Sequence, residues 1–172
     1  MLKQAILYEA ELKQRLRETW FVDKYKYYWF DGMHQDVELI TSTDHNHQFV
    51  SINSRGEVVG YIAYGIDRQS YKVTYIGMIN FTDDKMTFGR DLCKAISDIF
   101  EKFKFNKLMF SCVVDNPIYN SYEKLALKYG GRLVGIYKED TFINGETYDV
   151  ASFEVLRSDY LRNRPRLLHD II

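Results

Sequence analysis

The chain has 172 residues and a mass of 20.4 kDa, with 46% hydrophobic and 16% aromatic residues. At roughly 100–200 residues per domain this is one domain with a sizeable core, and the aromatic content excludes a disordered chain. Its 23 basic and 24 acidic side chains leave a net charge of −1, without the concentrated positive field that an unassisted nucleic-acid or membrane-surface binder needs.

The opening stretch, MLKQAILYEAELKQRLRE, is too charged for a signal peptide. No run approaches the ~20 apolar residues of a membrane span. Cys93 and Cys112 sit inside apolar patterns and read as reduced core thiols. The expected setting is soluble and cytoplasmic.

Over residues 5–20, Ala5, Tyr8, Leu12, Leu16 and Trp20 recur at three- and four-residue steps, opposite a charged face. This spacing predicts an amphipathic helix. Residues 21–33 gather Tyr25, Tyr27, Tyr28, Trp29 and Phe30 into a run that fits helix or strand. Residues 34–47 read as a loop. Its His45-Asn46-His47 spacing is compatible with a metal, but no further ligand stands nearby in sequence, so none is expected.

From residue 48 the period changes to two. QFVSINS and EVVGYIAYGI form a hairpin about Ser54–Glu57, and a turn at 67–70 leads to a third strand, 71–81. The polar break TDDKMT (82–87) precedes a helix that begins near Phe88, with Leu92, Ala95, Ile96, Ile99 and Phe103 on its apolar stripe. KLMFSCVV (107–114) reads as a strand covered on both faces. Buried there, Cys112 is an inert thiol. Asp115-Asn116-Pro117 caps a further helix carrying Ile118, Tyr122, Leu125, Ala126 and Tyr129, which ends at Gly130-Gly131. Two strands then meet at Asn144-Gly145, a strong hairpin signal. The last residues, 157–172, form a tail with Arg157, Arg162, Arg164 and Arg166.

A right-handed crossover pairs the third strand with KLMFSCVV in parallel, giving an α/β mixed sheet with helices on both faces. The loop that feeds the Phe88 helix offers unpaired N–H groups and a positive dipole end, which suit a phosphate. Lys85 and Arg90 add positive charge there; Asp83 and Asp84 subtract it.

This order, with VVGYIAY, DKMTFGRDLCKAI, Asn116 before Tyr122-Glu123-Lys124-Leu125, and the closing hairpin, resembles the GNAT superfamily of acyl-CoA N-acyltransferases over about residues 48–156. The resemblance implies a GNAT-like, mostly antiparallel sheet whose central parallel pair splays apart. It implies acetyl-CoA as cosubstrate, no metal, and direct transfer to a primary amine in a ternary complex. The family loop reads Q/R-x-x-G-x-G/A. Here Asp84 takes the basic or amide position, Thr87 the first glycine, and only Gly89 matches.

By the same resemblance, Lys85, Met86, Thr87, Phe88, Gly89 and Arg90 present amides to the pyrophosphate. Met78, Ile79 and Phe81 lie along the pantetheine edge, with an N–H near Ile79 on the thioester carbonyl. Asn116 meets the pantetheine. Tyr122 protonates the departing thiolate, with Tyr119 as rival, and the aromatic cluster near Tyr25 borders the acceptor. Asp115, Glu146 and Asp149 are candidates for the base. The acceptor is a small-molecule or peptide amine, membrane and nucleic-acid partners are not expected, and a homodimer is compatible. The alternatives are a non-catalytic GNAT-like module whose loop no longer holds CoA, and a nucleic-acid modifier that uses the arginine tail.

Overall fold

The computed structural model describes residues 1–28, 34–41 and 44–169. Its strands are β1 (Leu2–Gln4), β2 (Asn46–Ile52), β3 (Val58–Asp67), β4 (Lys72–Asn80), β5 (Lys107–Val113), β6 (Arg132–Ile143) and β7 (Glu146–Leu156). They form one seven-stranded sheet in the order β1-β2-β3-β4-β5-β7-β6. Every pairing is antiparallel except that of β4 with β5. The helices are α1 (Glu9–Arg17), α2 (Lys85–Ser97), α3 (Tyr119–Lys128) and α4 (Arg157–His169).

The first helix is shorter than its apolar spacing predicts. Leu2–Gln4 pair with Phe49–Ser51 as a strand, Ala5–Tyr8 form a 3-10 turn, and α1 proper starts at Glu9. The same stripe is nevertheless used. Ala5, Leu12 and Leu16 are buried against Val50, Val58, Tyr61, Ala63 and Ile79 on one face of β2–β4. Trp20 lies beyond the end of α1. Residues 23–25 form a short 3-10 turn, and Trp29 and Phe30 lie outside the described residues.

The larger core lies on the opposite face. Ala95, Ile96, Ile99 and Phe100 from α2 and its π-helical continuation (Asp98–Lys102) meet Ile62, Tyr64, Leu108, Phe110 and Phe153. The β4–α2–β5 crossover is the expected one, but α2 begins at Lys85, three residues before Phe88. β5 also departs from expectation: its burial alternates, with Phe110 and Cys112 inside and Ser111 exposed. A helix therefore covers only one of its faces. The apolar run misleads because Met109 supplies an apolar residue on the thinly covered face.

β6 and β7 turn at Asn144 and Gly145, both with positive φ (52° and 90°), as a two-residue turn of this kind requires. The C-terminal stretch is helix α4 and not a free tail. Tyr160 is buried, stacked on Phe100 at 4.7 Å and on Tyr129 at 5.4 Å. Arg157 donates to the Phe100 carbonyl, Arg162 pairs with Asp159, and Arg164 pairs with Glu101. The Arg166 side chain is outside the described residues. Three of the tail arginines thus have partners within the fold, while Arg162 and Arg164 stay exposed.

Candidate functional site

β4 and β5 pair only through Lys72–Lys107 and Val73–Leu108. Directly after, the β3–β4 register shifts between Gly65/Ile66, leaving Thr74 as an extra residue on β4. Such a bulge bends the strand that carries it. β4 continues along β3 to Asn80, while β5 continues along β7 to Val113. The two parallel strands therefore diverge, and the outer edge of β4 loses its ladder partner. Phe81 N–H bonds the Val59 carbonyl at 2.9 Å. Antiparallel alternation then turns the Ile79 N–H toward β3 and the Met78 and Asn80 N–H groups toward the gap. The open-edge donors flank Ile79, and the Phe81 amide is already used.

The chain enters α2 through an ordered turn. Asn80 Oδ1 accepts from Thr82 N–H at 3.0 Å, and Thr82 Oγ1 accepts from Asp84 N–H at 3.2 Å. Asp84 is the N-cap of α2, and its carboxylate accepts the Thr87 N–H at 2.9 Å. That hydrogen bond holds the Asp84 carboxyl below the usual carboxylate range. Lys85 N–H turns back to the Asp83 carbonyl at 2.8 Å, and Phe88 N–H points to the Asp84 carbonyl at 3.4 Å. Beside Gly89 the space is open: a Cβ there would meet nothing within 4 Å. Lys85, Met86 and Arg90 are exposed. Phe88 is drawn against β3 because Gly60 lacks a side chain. A Cβ on Gly60 would lie 2.4 Å from the Phe88 ring and 2.8 Å from the Ile79 carbonyl.

At the end of β5, Asn116 makes a tight turn, its Oδ1 accepting the Ile118 N–H at 3.1 Å and its carbonyl accepting the Tyr119 N–H at 2.8 Å. α3 then starts at Tyr119, so Asn116 and Pro117 precede the helix rather than cap it. Tyr119 packs on Phe153 (5.9 Å between ring centroids), and Tyr122 packs edge-on against Phe110 (5.9 Å, 85°). Both anchor rings belong to strands beyond the gap, on β7 and β5. Burial and the neighbouring Cys112 raise the Tyr122 pKa well above its ordinary value. Burial also pushes the Cys112 thiol up to about 12, which keeps it unreactive. Among the described residues the Tyr122 hydroxyl makes no hydrogen bond to the protein.

A cavity of about 190 Å³ opens beside the end of β4, lined among others by Trp20, Phe21, Asp23, Tyr25, Tyr28 and His34. The Tyr25 hydroxyl lies 3.5 Å from the carbonyls of Asn80 and Phe81, which ties the cavity wall to the gap. Phe21 stacks on His34 at 3.9 Å; both residues have positive φ (59°), and Phe21 is 84% exposed. Asn144, from the β6–β7 turn, closes the far side. Sequence spacing places Trp20 on a helix and gives no signal for Phe21, His34 or Asn144 as neighbours, because this wall forms only when residues 19–28, His34 and Gln35 meet the hairpin turn. Tyr27 lies apart and packs edge-on against Tyr148 at 5.7 Å.

Of the carboxylates considered as a base, Asp149 is committed. It pairs with Lys138 at 2.6 Å and accepts the Glu139 N–H at 3.0 Å, which lowers its pKa. Glu146 accepts a hydrogen bond from the Tyr148 hydroxyl at 2.7 Å and raises that phenol to about 12, with a smaller contribution from the charge of Asp115. His47 is buried, with its Nδ1 2.8 Å from the Tyr64 hydroxyl and its ring against Phe103, whereas His45 is exposed. The two therefore do not converge on one point.

A family model described as the acetyltransferase (GNAT) family matches residues 11–127. Among solved structures, the spermidine/spermine N-acetyltransferase SpeG from Vibrio cholerae, in complex with manganese ions, is similar with a TM-score of 0.60. Its identity is 23%, over 70% of this chain and 70% of that chain. A probable acetyltransferase is similar with a TM-score of 0.70 and 14% identity, over 92% of this chain and 93% of its own. At these identities the likeness concerns the fold. No curated protein matches the chain.

Proposed function

The chain belongs to the acetyltransferase (GNAT) family, and from that premise we propose that it transfers an acetyl group from acetyl-CoA directly to a primary amine in a ternary complex. The observation that carries this reading is the divergence of β4 and β5 after Val73 and Leu108, with Tyr122 packed against β5. A pantetheine arm is a thin, amide-bearing chain, and the unpaired edge of β4 offers it a strand to pair with. The cosubstrate supplies a thioester, already activated toward amine attack.

The residues divide the remaining work. One of the two open-edge amides, Met78 or Asn80 N–H, donates to the thioester carbonyl as negative charge grows on its oxygen, and the other is left to pair with the pantetheine arm. Trp20, Tyr25 and Tyr28 hold the acceptor amine in the adjacent cavity. The C–N bond forms as the C–S bond breaks. Tyr122 gives its phenolic proton to the departing sulfur, since a hydroxyl held above its ordinary pKa stays protonated at neutral pH. The proton lost by the amine reaches water or the Glu146–Asp115 carboxylates beside Tyr148, and solvent restores the tyrosine. Asn116 orients the arm at the entrance to the gap.

The test is acetyl transfer from acetyl-CoA to a panel of primary amines, read as thiol release, beside thermal melting with CoA. Transfer to at least one amine, and a rise in melting temperature that grows with CoA, are expected. No transfer and no melting shift at millimolar CoA would leave a GNAT-like binding module instead.

A further inference from the structure

The N-terminus of α2 is the place where a GNAT chain is expected to take the diphosphate, and this chain fills it from within. The Asp84 carboxylate, an anion, sits on the Thr87 N–H at 2.9 Å. It is not a loose side chain. The Asp84 N–H is held by Thr82 Oγ1, Thr82 is held by Asn80 Oδ1, and the Asn80 side-chain amide lies 3.4 Å from the Asp84 carbonyl. Of the other donors in the first turn, Lys85 N–H is bonded to the Asp83 carbonyl at 2.8 Å and Phe88 N–H points to the Asp84 carbonyl at 3.4 Å, which leaves Met86 N–H. The remaining positive charge is peripheral: Lys85 and Arg90 are exposed, and Arg90 lies 3.6 Å from Asp91. The β4–β5 ladder, by contrast, ends at Val73–Leu108 and leaves the Met78 and Asn80 amides without a strand partner among the described residues.

We infer that Asp84 is an internal stand-in for the diphosphate, so that this chain draws its donor affinity from the pantetheine arm and not from the nucleotide. This rests on the reading of the chain as a user of acetyl-CoA. A carboxylate and a phosphate both prefer the positive end of a helix, and they compete for the same N–H groups. Binding CoA therefore requires Asp84 to leave its cap or to stand beside a second anion. Either way the diphosphate gains little.

The experiment is calorimetric titration of the wild-type chain, Asp84→Ser and Asp84→Asn with CoA and, separately, with pantetheine. Serine and asparagine both cap a helix without charge, so the fold is kept while the anion is removed. The expected result is CoA affinity about tenfold higher in both variants. Pantetheine affinity is expected to stay within about twofold, because that arm does not reach Asp84. Unchanged or weaker CoA binding in both folded variants, with wild type still binding CoA, overturns the role of Asp84 alone. If neither wild type nor variants bind CoA or pantetheine, the reading of the chain as a user of acetyl-CoA falls, and this inference with it.

Discussion

Tyr122→Phe separates the acid from the scaffold. The Tyr122 ring packs edge-on against Phe110, and phenylalanine keeps that contact. Its hydroxyl makes no protein hydrogen bond among the described residues, so its removal breaks no pair. The expected change in stability is therefore below about 1 kcal/mol, of either sign. Catalysis is another matter. A positioned proton donor contributes about 10²–10⁴-fold to rate, equivalent to roughly 3–5 kcal/mol of barrier. The assay is thiol release under saturating acetyl-CoA and amine, with CoA affinity measured in parallel. Turnover is expected to drop by at least about 100-fold with CoA affinity unchanged. Tyr119→Phe is expected to keep its rate, since its ring lies against Phe153 and not beside Cys112. Because the Tyr122 pKa is raised, wild-type turnover is not expected to fall through loss of this proton between pH 7 and pH 10. Normal turnover in Tyr122→Phe, or equal losses in both variants, would refute the assignment.

Gly60→Ala places a methyl 2.4 Å from the Phe88 ring and 2.8 Å from the Ile79 carbonyl. The ring can yield and the carbonyl cannot, so chemical denaturation is expected to show a loss of about 1–3 kcal/mol. Tyr160→Ala removes a ring stacked between Phe100 and Tyr129 and is expected to cost about 3–5 kcal/mol; a loss below about 1 kcal/mol would mean that α4 is dispensable. Glu154 is buried and bonded by Lys107 at 2.6 Å and Arg132 at 2.8 Å, which lowers its pKa. Its stabilisation is present above the unfolded carboxylate pKa and is lost as pH falls through the lower folded value. Acid melting curves of Glu154→Gln are thus expected to show a shallower dependence below about pH 4.5 than wild type. At neutral pH the same variant is expected to cost about 1–2 kcal/mol.

Local chemistry was enough for most of the frame. Alternation in QFVSINS and EVVGYIAYGI, Gly56 with φ of 83° in the turn between them, Asn144-Gly145, and the paired Gly130-Gly131 stop all act within a few residues. Strand pairing and turn type follow from such short-range rules, so the meander, the crossover and the closing hairpin were legible. The family, too, was legible in the element order together with VVGYIAY, DKMTFGRDLCKAI, Asn116 before Tyr122-Glu123-Lys124-Leu125, and the closing hairpin, although the loop that ends at Gly89 departs from the family pattern. Errors fell where two local rules compete. Asp84 reads as a charge opposed to phosphate, but as a cap it starts α2 at Lys85 and not near Phe88. The stretch 157–172 reads as a tail, but Tyr160 docks it as a helix on Phe100 and Tyr129.

Only the tertiary structure decided which face of each strand is open and which donors are free. The side-chain period along β4 does not say which amides its neighbour consumes. That depends on the bulge at Thr74 and on the Phe81–Val59 bond, which together turn the Met78 and Asn80 N–H groups toward the gap. The cavity wall is equally nonlocal, since Trp20, His34 and Asn144 meet only through contacts far apart along the chain. Sequence sets short-range preferences for angle, cap and burial; a site is a convergence of distant atoms, and its geometry exists only once those preferences have been reconciled in three dimensions.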